Sequence, residues 1–166
     1  VKLVRIRATA MQNAAPVGIG GMAAILGSDD DTVKFVCETA QAEVTGEVVQ
    51  AVNYNAQGQV VIAGEKAAVE KACELAKAAG AKRGLVLPVS APFHSVLLKP
   101  AADVLAEALV KVEMNAPQIS VVNNVDVSVE TDLAKIRDAL VRQAWNPVRW
   151  VECVTYMAEQ GLQLIH

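Results

Sequence analysis

Two residues in this 166-residue chain have the type and the placement to do chemistry, Arg7 and His94. His94 lies in SAPFHSVLLKP, residues 90–100, after an apolar strand-like run and before a helical pattern. It is one of two histidines; the other, His166, ends the chain and is uninformative. In an open α/β sheet, ligands gather beyond the carboxyl ends of the strands, and His94 follows the run 83–90 at such an end. An imidazole there can accept and return a proton near neutral pH, or it can be an ordinary hydrogen-bonded cap. A base needs a group to activate, and the chain contains no G-x-S-x-G elbow. Ser90 and Ser95 are close in sequence, but neither falls on a strand-to-helix elbow.

Arg7 falls on the apolar stripe Leu3, Ile6, Arg7 and Ala10 of an opening helix, whereas Lys2 and Arg5 fall off it. A guanidinium turned inward must be paired, because an unpaired buried charge is prohibitive. Two pairings stand on sequence alone. One is a local Asp or Glu, with the side chain snorkelling as a variant. The other is the carboxylate of a ligand, which the planar fork can hold with two hydrogen bonds.

Other chemistry-bearing types have plainer readings. GIGGMA, residues 18–23, matches a G-x-G-x-x-A phosphate fingerprint, but its glycines lie within a strand-like run and not between strand and helix. Backbone crowding or a bulge explains them better. Asn53 and Asn55 bracket Tyr54 beside a glycine turn, where asparagine serves turn geometry. Lys99 reads as an exposed lysine. Cys37, Cys73 and Cys153 form no C-x-x-C pair, which argues against structural zinc and a disulfide framework and leaves them as small core residues.

The elements that must position these groups follow from composition and periodicity. Apolar residues make up 53% of the chain and aromatics only 4%, so the core is built from Ala, Val, Leu and Ile. A net charge of −3 argues against nucleic acid as a partner. With no apolar run long enough to span a membrane and no signal peptide, the expected setting is the cytoplasm. The pattern predicts a helix over 2–14, a strand over 17–26 and a helix to about 43 capped by Ser28. Strands over 47–54 and 59–64, a helix over 65–80 and a strand over 83–90 follow. The order β-α-β-β-α-β over 17–88 is that of a ferredoxin-like unit. Beyond it come a helix over 100–112, a strand over 118–126, a helix over 131–145 with Leu133, Ile136, Leu140 and Ala144 inward, another helix to 160, and LQLIH as a last strand. That alternation predicts a parallel sheet. The 17–88 unit then reads as a compact subdomain inserted into something else. Val1 and the truncated LQLIH read as the ends of a piece of something longer.

Taken together, VRIRATAMQ, GGMAAILG, VNYNAQGQVVIAG, AGAKRGLVLPVSAPFHS, LKPAAD and VVNNVD resemble the malonyl-CoA:acyl carrier protein transacylases of bacterial type II fatty acid synthesis. The resemblance spans essentially the whole chain. It implies an α/β-hydrolase-like large domain with a ferredoxin-like subdomain inserted in it. It also implies a ping-pong reaction, in which a serine in a GHSLG elbow takes malonyl from coenzyme A and passes it to the phosphopantetheine thiol of acyl carrier protein. No cofactor and no metal are implied; the coenzyme A thioester is a substrate. By the same resemblance His94 activates the serine and protonates the leaving thiolate, and Arg7 pairs with malonate's free carboxylate. Met11 lines the acyl pocket, Phe93 holds a specificity position, and Asn55 sits near the mouth. The family's GHSLG elbow and its N-terminal GQGSQ-type segment are not in these residues. Neither is the GPGK-type segment expected after His166, whose neighbourhood is expected to supply the backbone acceptor that orients the histidine. Two alternatives remain: a binding module that holds an acyl-CoA or the carrier protein without turnover, and an acyltransferase domain of a polyketide synthase.

Overall fold

A computed structural model describes residues 2–16 and 18–163. Helix α1 (Lys2–Asn13) leads into strand β1 (Gly20–Leu26), helix α2 (Asp30–Glu43), strands β2 (Val49–Ala56) and β3 (Gln59–Glu65), helix α3 (Lys66–Ala78) and strand β4 (Arg83–Val86). The four strands form one antiparallel sheet in the order β2-β3-β1-β4. Its two faces are used differently. On one, Ala23, Ile25, Val49, Ala51, Val60 and Ile62 pack under α2 and α3 against Val33, Val36, Val69 and Ala72. On the other, Met22, Val52, Val61 and Ala63 form a smaller cluster that Leu87 and Phe93 cover.

A small residue lets two strands of the sheet approach. A Cβ on Gly64 would lie 1.9 Å from the Val48 carbonyl oxygen and 2.6 Å from Val49 Cα. Helix α2 starts where a side chain satisfies its free N–H groups: Asp29, not Ser28, is the cap, accepting from the Thr32 amide.

A 3-10 turn (Val96–Leu98) continues into α4 (Lys99–Val110), with Pro100 in the first turn where its missing N–H costs nothing. Short strands β5 (Val122–Asn123) and β6 (Ser128–Val129) make a hairpin, and helices α5 (Leu133–Gln143) and α6 (Trp150–Glu159) follow. Helix α4 is the hub of this part. Ala102, Leu105 and Leu109 meet Ala144, Val141 and Leu3, while Ala101 and Leu98 meet Met11. Arg137 of α5 donates to the Leu109 carbonyl in the last turn of α4 and to the Val112 carbonyl just beyond it, which fixes the two helices in register.

Four expectations are corrected. The strand expected over 83–90 ends at Val86, so His94 stands well beyond it in a loop. The strand expected over 118–126 contracts to two residues. The parallel sheet is not found among the described residues, where both sheets are antiparallel and the parallel contact is a single bridge between Asn53 and Val148. Apolar alternation marks an extended segment but does not choose its partner, which is a long-range decision. Leu140 of α5 is exposed, while Ala139 and Ala144 are buried, so the inward face is rotated from the one expected. Val17 and the Leu164–His166 portion of the expected last strand lie outside the described residues.

Gly64→Ala should destabilise the fold by about 3 kcal/mol, because the added methyl meets backbone and no side chain can swing aside. The check is urea unfolding; a loss under about 1 kcal/mol would show that β2 and β3 can separate at that point without penalty.

Candidate active site

The loop carrying His94 crosses the open face of the sheet. The Leu87 amide donates to Met22 O at 2.8 Å, and buried Ser95 donates its hydroxyl to Pro92 O at 2.7 Å. The loop lies on β1 because Gly20 has no side chain: a Cβ there would sit 2.4 Å from Pro92 Cδ and 2.8 Å from Ser90 O. The GIGGMA glycines thus serve close backbone approach. His94 itself adopts φ +62, a left-handed conformation that few non-glycine residues take. The turn aims the imidazole at the end of α5.

There Nδ1 lies 2.9 Å from the main-chain oxygen of Gln143. A carbonyl oxygen only accepts, so Nδ1 carries the proton and Nε2 keeps its lone pair. The Gln143 carbonyl is free because it belongs to the last residue of α5. The preceding carbonyls of Val141 and Arg142 are taken by the amides of Ala144, Trp145 and Asn146. The acceptor expected from the neighbourhood beyond His166 is therefore supplied by Gln143, from within the chain. Burial first, and the nearby Arg7 cation second, push His94 below the ordinary imidazole value; the hydrogen bond to Gln143 opposes them.

Arg7 points into the same space. Among the described residues it has no carboxylate partner; its Nη2 donates to Gln143 Oε1. Burial lowers its affinity for its proton, yet a guanidinium remains a cation at neutral pH. The local ion pair is not what the structure uses. Arg7, Ala8, Met11, Gln12, Met22, Asn53, Phe93 and His94 line one cavity of about 480 Å³. Met11 is buried beneath it, and Phe93 joins the clusters on the sheet and on α4.

Of the five residues singled out, Arg7, Met11, Phe93 and His94 are brought together. Asn55 is not: it is exposed at the far end of β2. Asn53 takes its place in the cavity wall. The register between β2 and β3 shifts between Ala51 and Asn53 and again between Tyr54 and Ala56. The first irregularity puts Asn53 on the Val52 side of the sheet, whereas strict alternation would not. Gln143 had no sequence signal, because its acceptor is a main-chain atom that any residue carries.

The rest of the chain offers less. Among the described residues no cluster of three or more His, Cys, Asp or Glu is arranged to hold a metal. Cys37, Cys73 and Cys153 are buried, and burial pushes the Cys37 thiol up to about 12, far from a reactive thiolate. Lys99 lies 5.6 Å from the Trp145 ring centre. A roomier cleft between α1 and α4, of about 680 Å³, holds neither the imidazole nor the inward arginine.

By fold and site the chain is an α/β protein whose open sheet face carries a neutral imidazole beside an arginine that has no carboxylate partner among the described residues. Along its whole length it is similar to malonyl CoA-acyl carrier protein transacylases. It is 54% identical to the one from Salmonella typhimurium over 166 residues, 100% of this chain and 53% of that protein. A crystal structure of acyl-carrier-protein S-malonyltransferase from Burkholderia pseudomallei 1710b superposes with a TM-score of 0.93 at 66% identity, covering 97% of this chain and 52% of that one. A malonyl-transacylase solved with its type II polyketide synthase acyl-carrier protein gives the same TM-score at 51% identity, covering 97% of this chain and 51% of that one. The chain thus spans about half the length of the relatives it matches. No family model matches it.

Because burial depresses His94, the unfolded chain takes up its proton first as the pH falls. The stability tied to the neutral imidazole is therefore full above about pH 6.5 and declines as the pH drops through that value. His94 should titrate below 6.5 by NMR, and Arg7→Ala should raise its midpoint by removing a nearby positive charge. As the pH falls below about 6.5, wild type should lose stability that His94→Asn does not. A His94 midpoint at or above 6.5 would contradict the buried neutral imidazole.

Proposed function

We propose that this chain carries the base and the carboxylate clamp of a malonyl transferase, moving malonyl from coenzyme A to the phosphopantetheine thiol of acyl carrier protein. The observation that carries the reading is the joint presence of His94 and Arg7 on one cavity, each bound to Gln143. The proton on Nδ1 leaves Nε2 free to take a hydroxyl proton and later return it to a leaving thiolate. Arg7 offers its fork to the free carboxylate at the far end of the acyl group, and Met11 and Phe93 supply apolar wall between the two charges' ends. Exchange of an acyl group between thiols is redox-neutral, so the reaction calls for no redox cofactor. The attacking serine, in a GHSLG elbow, comes from outside these 166 residues. The named activities of the relatives support the substrate and the carrier-protein partner.

The same reading divides the chain into 1–16 and 89–166, parts of an α/β-hydrolase-like domain, and an inserted ferredoxin-like subdomain over 17–88. The β-α-β-β-α-β order and the antiparallel sheet order β2-β3-β1-β4 support that division. We place the protein in the cytoplasm, in keeping with three buried free thiols and with no described helix long and apolar enough to cross a membrane.

Two measurements test the reading. Incubated with radiolabelled malonyl-CoA, the 166-residue chain should retain no covalent label, since losing the nucleophile costs around 10⁶ in rate; stable label would overturn the role division. In a longer protein containing this sequence and the GHSLG elbow, Arg7→Ala should cut kcat/KM for malonyl transfer by roughly 30-fold to several thousand-fold, the effect of removing one member of a desolvated charge pair. Acetyl transfer, which offers no carboxylate, should hardly change. Equal losses for both thioesters would make Arg7 a structural residue.

A further inference from the structure

One residue touches both chemical groups of the cavity, and it does so with different atoms. The main chain of Gln143 accepts from the His94 ring, and its side chain accepts from the Arg7 guanidinium. We propose that the Gln143 side chain is a positioning residue for Arg7: its neutral amide oxygen holds one edge of the guanidinium so that the rest of the fork is presented to a carboxylate in the cavity. The inference deepens the malonyl reading and rests on it only for the identity of that carboxylate.

Three observations carry it. Arginine has five N–H donors in one plane, so tying Nη2 to a fixed acceptor sets the orientation of the whole fork. The acceptor is fixed, because Gln143 ends a helix that Arg137 anchors to the C-terminal carbonyls of α4. And the acceptor is uncharged. A glutamate at this place would hold the guanidinium equally well but would neutralise it and compete with the ligand. An amide orients the cation and leaves its charge to be used. The last turn of α5 adds the negative end of its dipole beside both Arg7 and the imidazole, which favours a cation there without pairing it.

The test uses the ¹⁵N-labelled 166-residue chain, with malonate as the probe. NMR follows the Arg7 guanidinium and the His94 ring nitrogens. In wild type the Arg7 Nη2 protons should be restrained, and malonate should shift the guanidinium signals. Gln143→Met keeps the length of the side chain and removes its acceptor. It should free the guanidinium to rotate and weaken malonate binding about tenfold or more. It should leave the His94 Nδ1–H pattern intact, because that bond uses the main chain. Gln143→Glu should keep the guanidinium restrained, abolish the malonate response and raise the His94 midpoint. Wild-type malonate affinity in Gln143→Met, or a guanidinium still restrained there, overturns the proposal. So does loss of the His94 pattern in Gln143→Met, which would mean that the side chain serves the loop instead of Arg7. A wild-type chain whose Gln143-dependent restraint is present but whose guanidinium ignores malonate upholds the positioning role and sinks the malonyl reading.

Discussion

The hydrogen bond between His94 Nδ1 and the Gln143 carbonyl joins segments 49 residues apart, and the site depends on it. It sets which ring nitrogen carries the proton. It also demands that the end of α5 arrive at the His94 loop. Two features bring it there: the packing of α5 on α4, locked by Arg137, and the strand-like contact of the segment after α5 with β2. In that contact the Tyr54 amide donates to Val148 O at 3.0 Å, and the Val148 amide to Val52 O at 2.7 Å. The sheet and the helical part are thereby tied together at the cavity wall that Asn53 provides.

The choice of a neutral orienting group has an electrostatic consequence. A carboxylate behind the imidazole would raise its basicity, but it would also stand close enough to draw on Arg7. With a carbonyl in that role the cavity keeps a net positive charge. Arg7 and burial together hold the imidazole neutral, the state a proton acceptor needs, while the unspent cation favours an anionic ligand. Among the described residues, the imidazole and the guanidinium share the cavity without either being tied to a carboxylate.

The sheet makes this possible by using its faces unequally. Two helices cover one face with a branched-aliphatic and alanine core. The other face is left to a loop, which would be hard to seat on a surface of large side chains. Gly20 clears the space for Ser90 and Pro92, and the irregular pairing of β2 turns Asn53 inward. A strained backbone at His94 is tolerated where the surroundings over-determine it: Ser95 below, Gly20 behind and Gln143 ahead.

Local patterns sufficed for much of this. The 3.6-residue stripe placed Arg7 on the inward side of α1, apolar runs marked all four strands of the sheet, and Gly58 and Gly80 marked turns where positive φ is required. Arg7 and His94 stood out by side-chain chemistry and local context, whereas Met11 and Phe93 were singled out only by the family resemblance; the fold brings all four to one cavity. What only the tertiary structure decided was non-local or carried by the main chain. The 118–126 run is cut to a two-residue strand, paired with β6 in a hairpin, and is held to the rest of the fold where the Arg149 amide donates to Asn124 O. The exchange of Asn55 for Asn53 comes from a register shift between two strands. The identity of the acceptor behind His94 is a carbonyl that every residue possesses, so no side-chain pattern can announce it. Whether Arg7 is neutralised or kept free depends on which groups the fold brings within reach of it, and that is settled by packing among α1, α4 and α5.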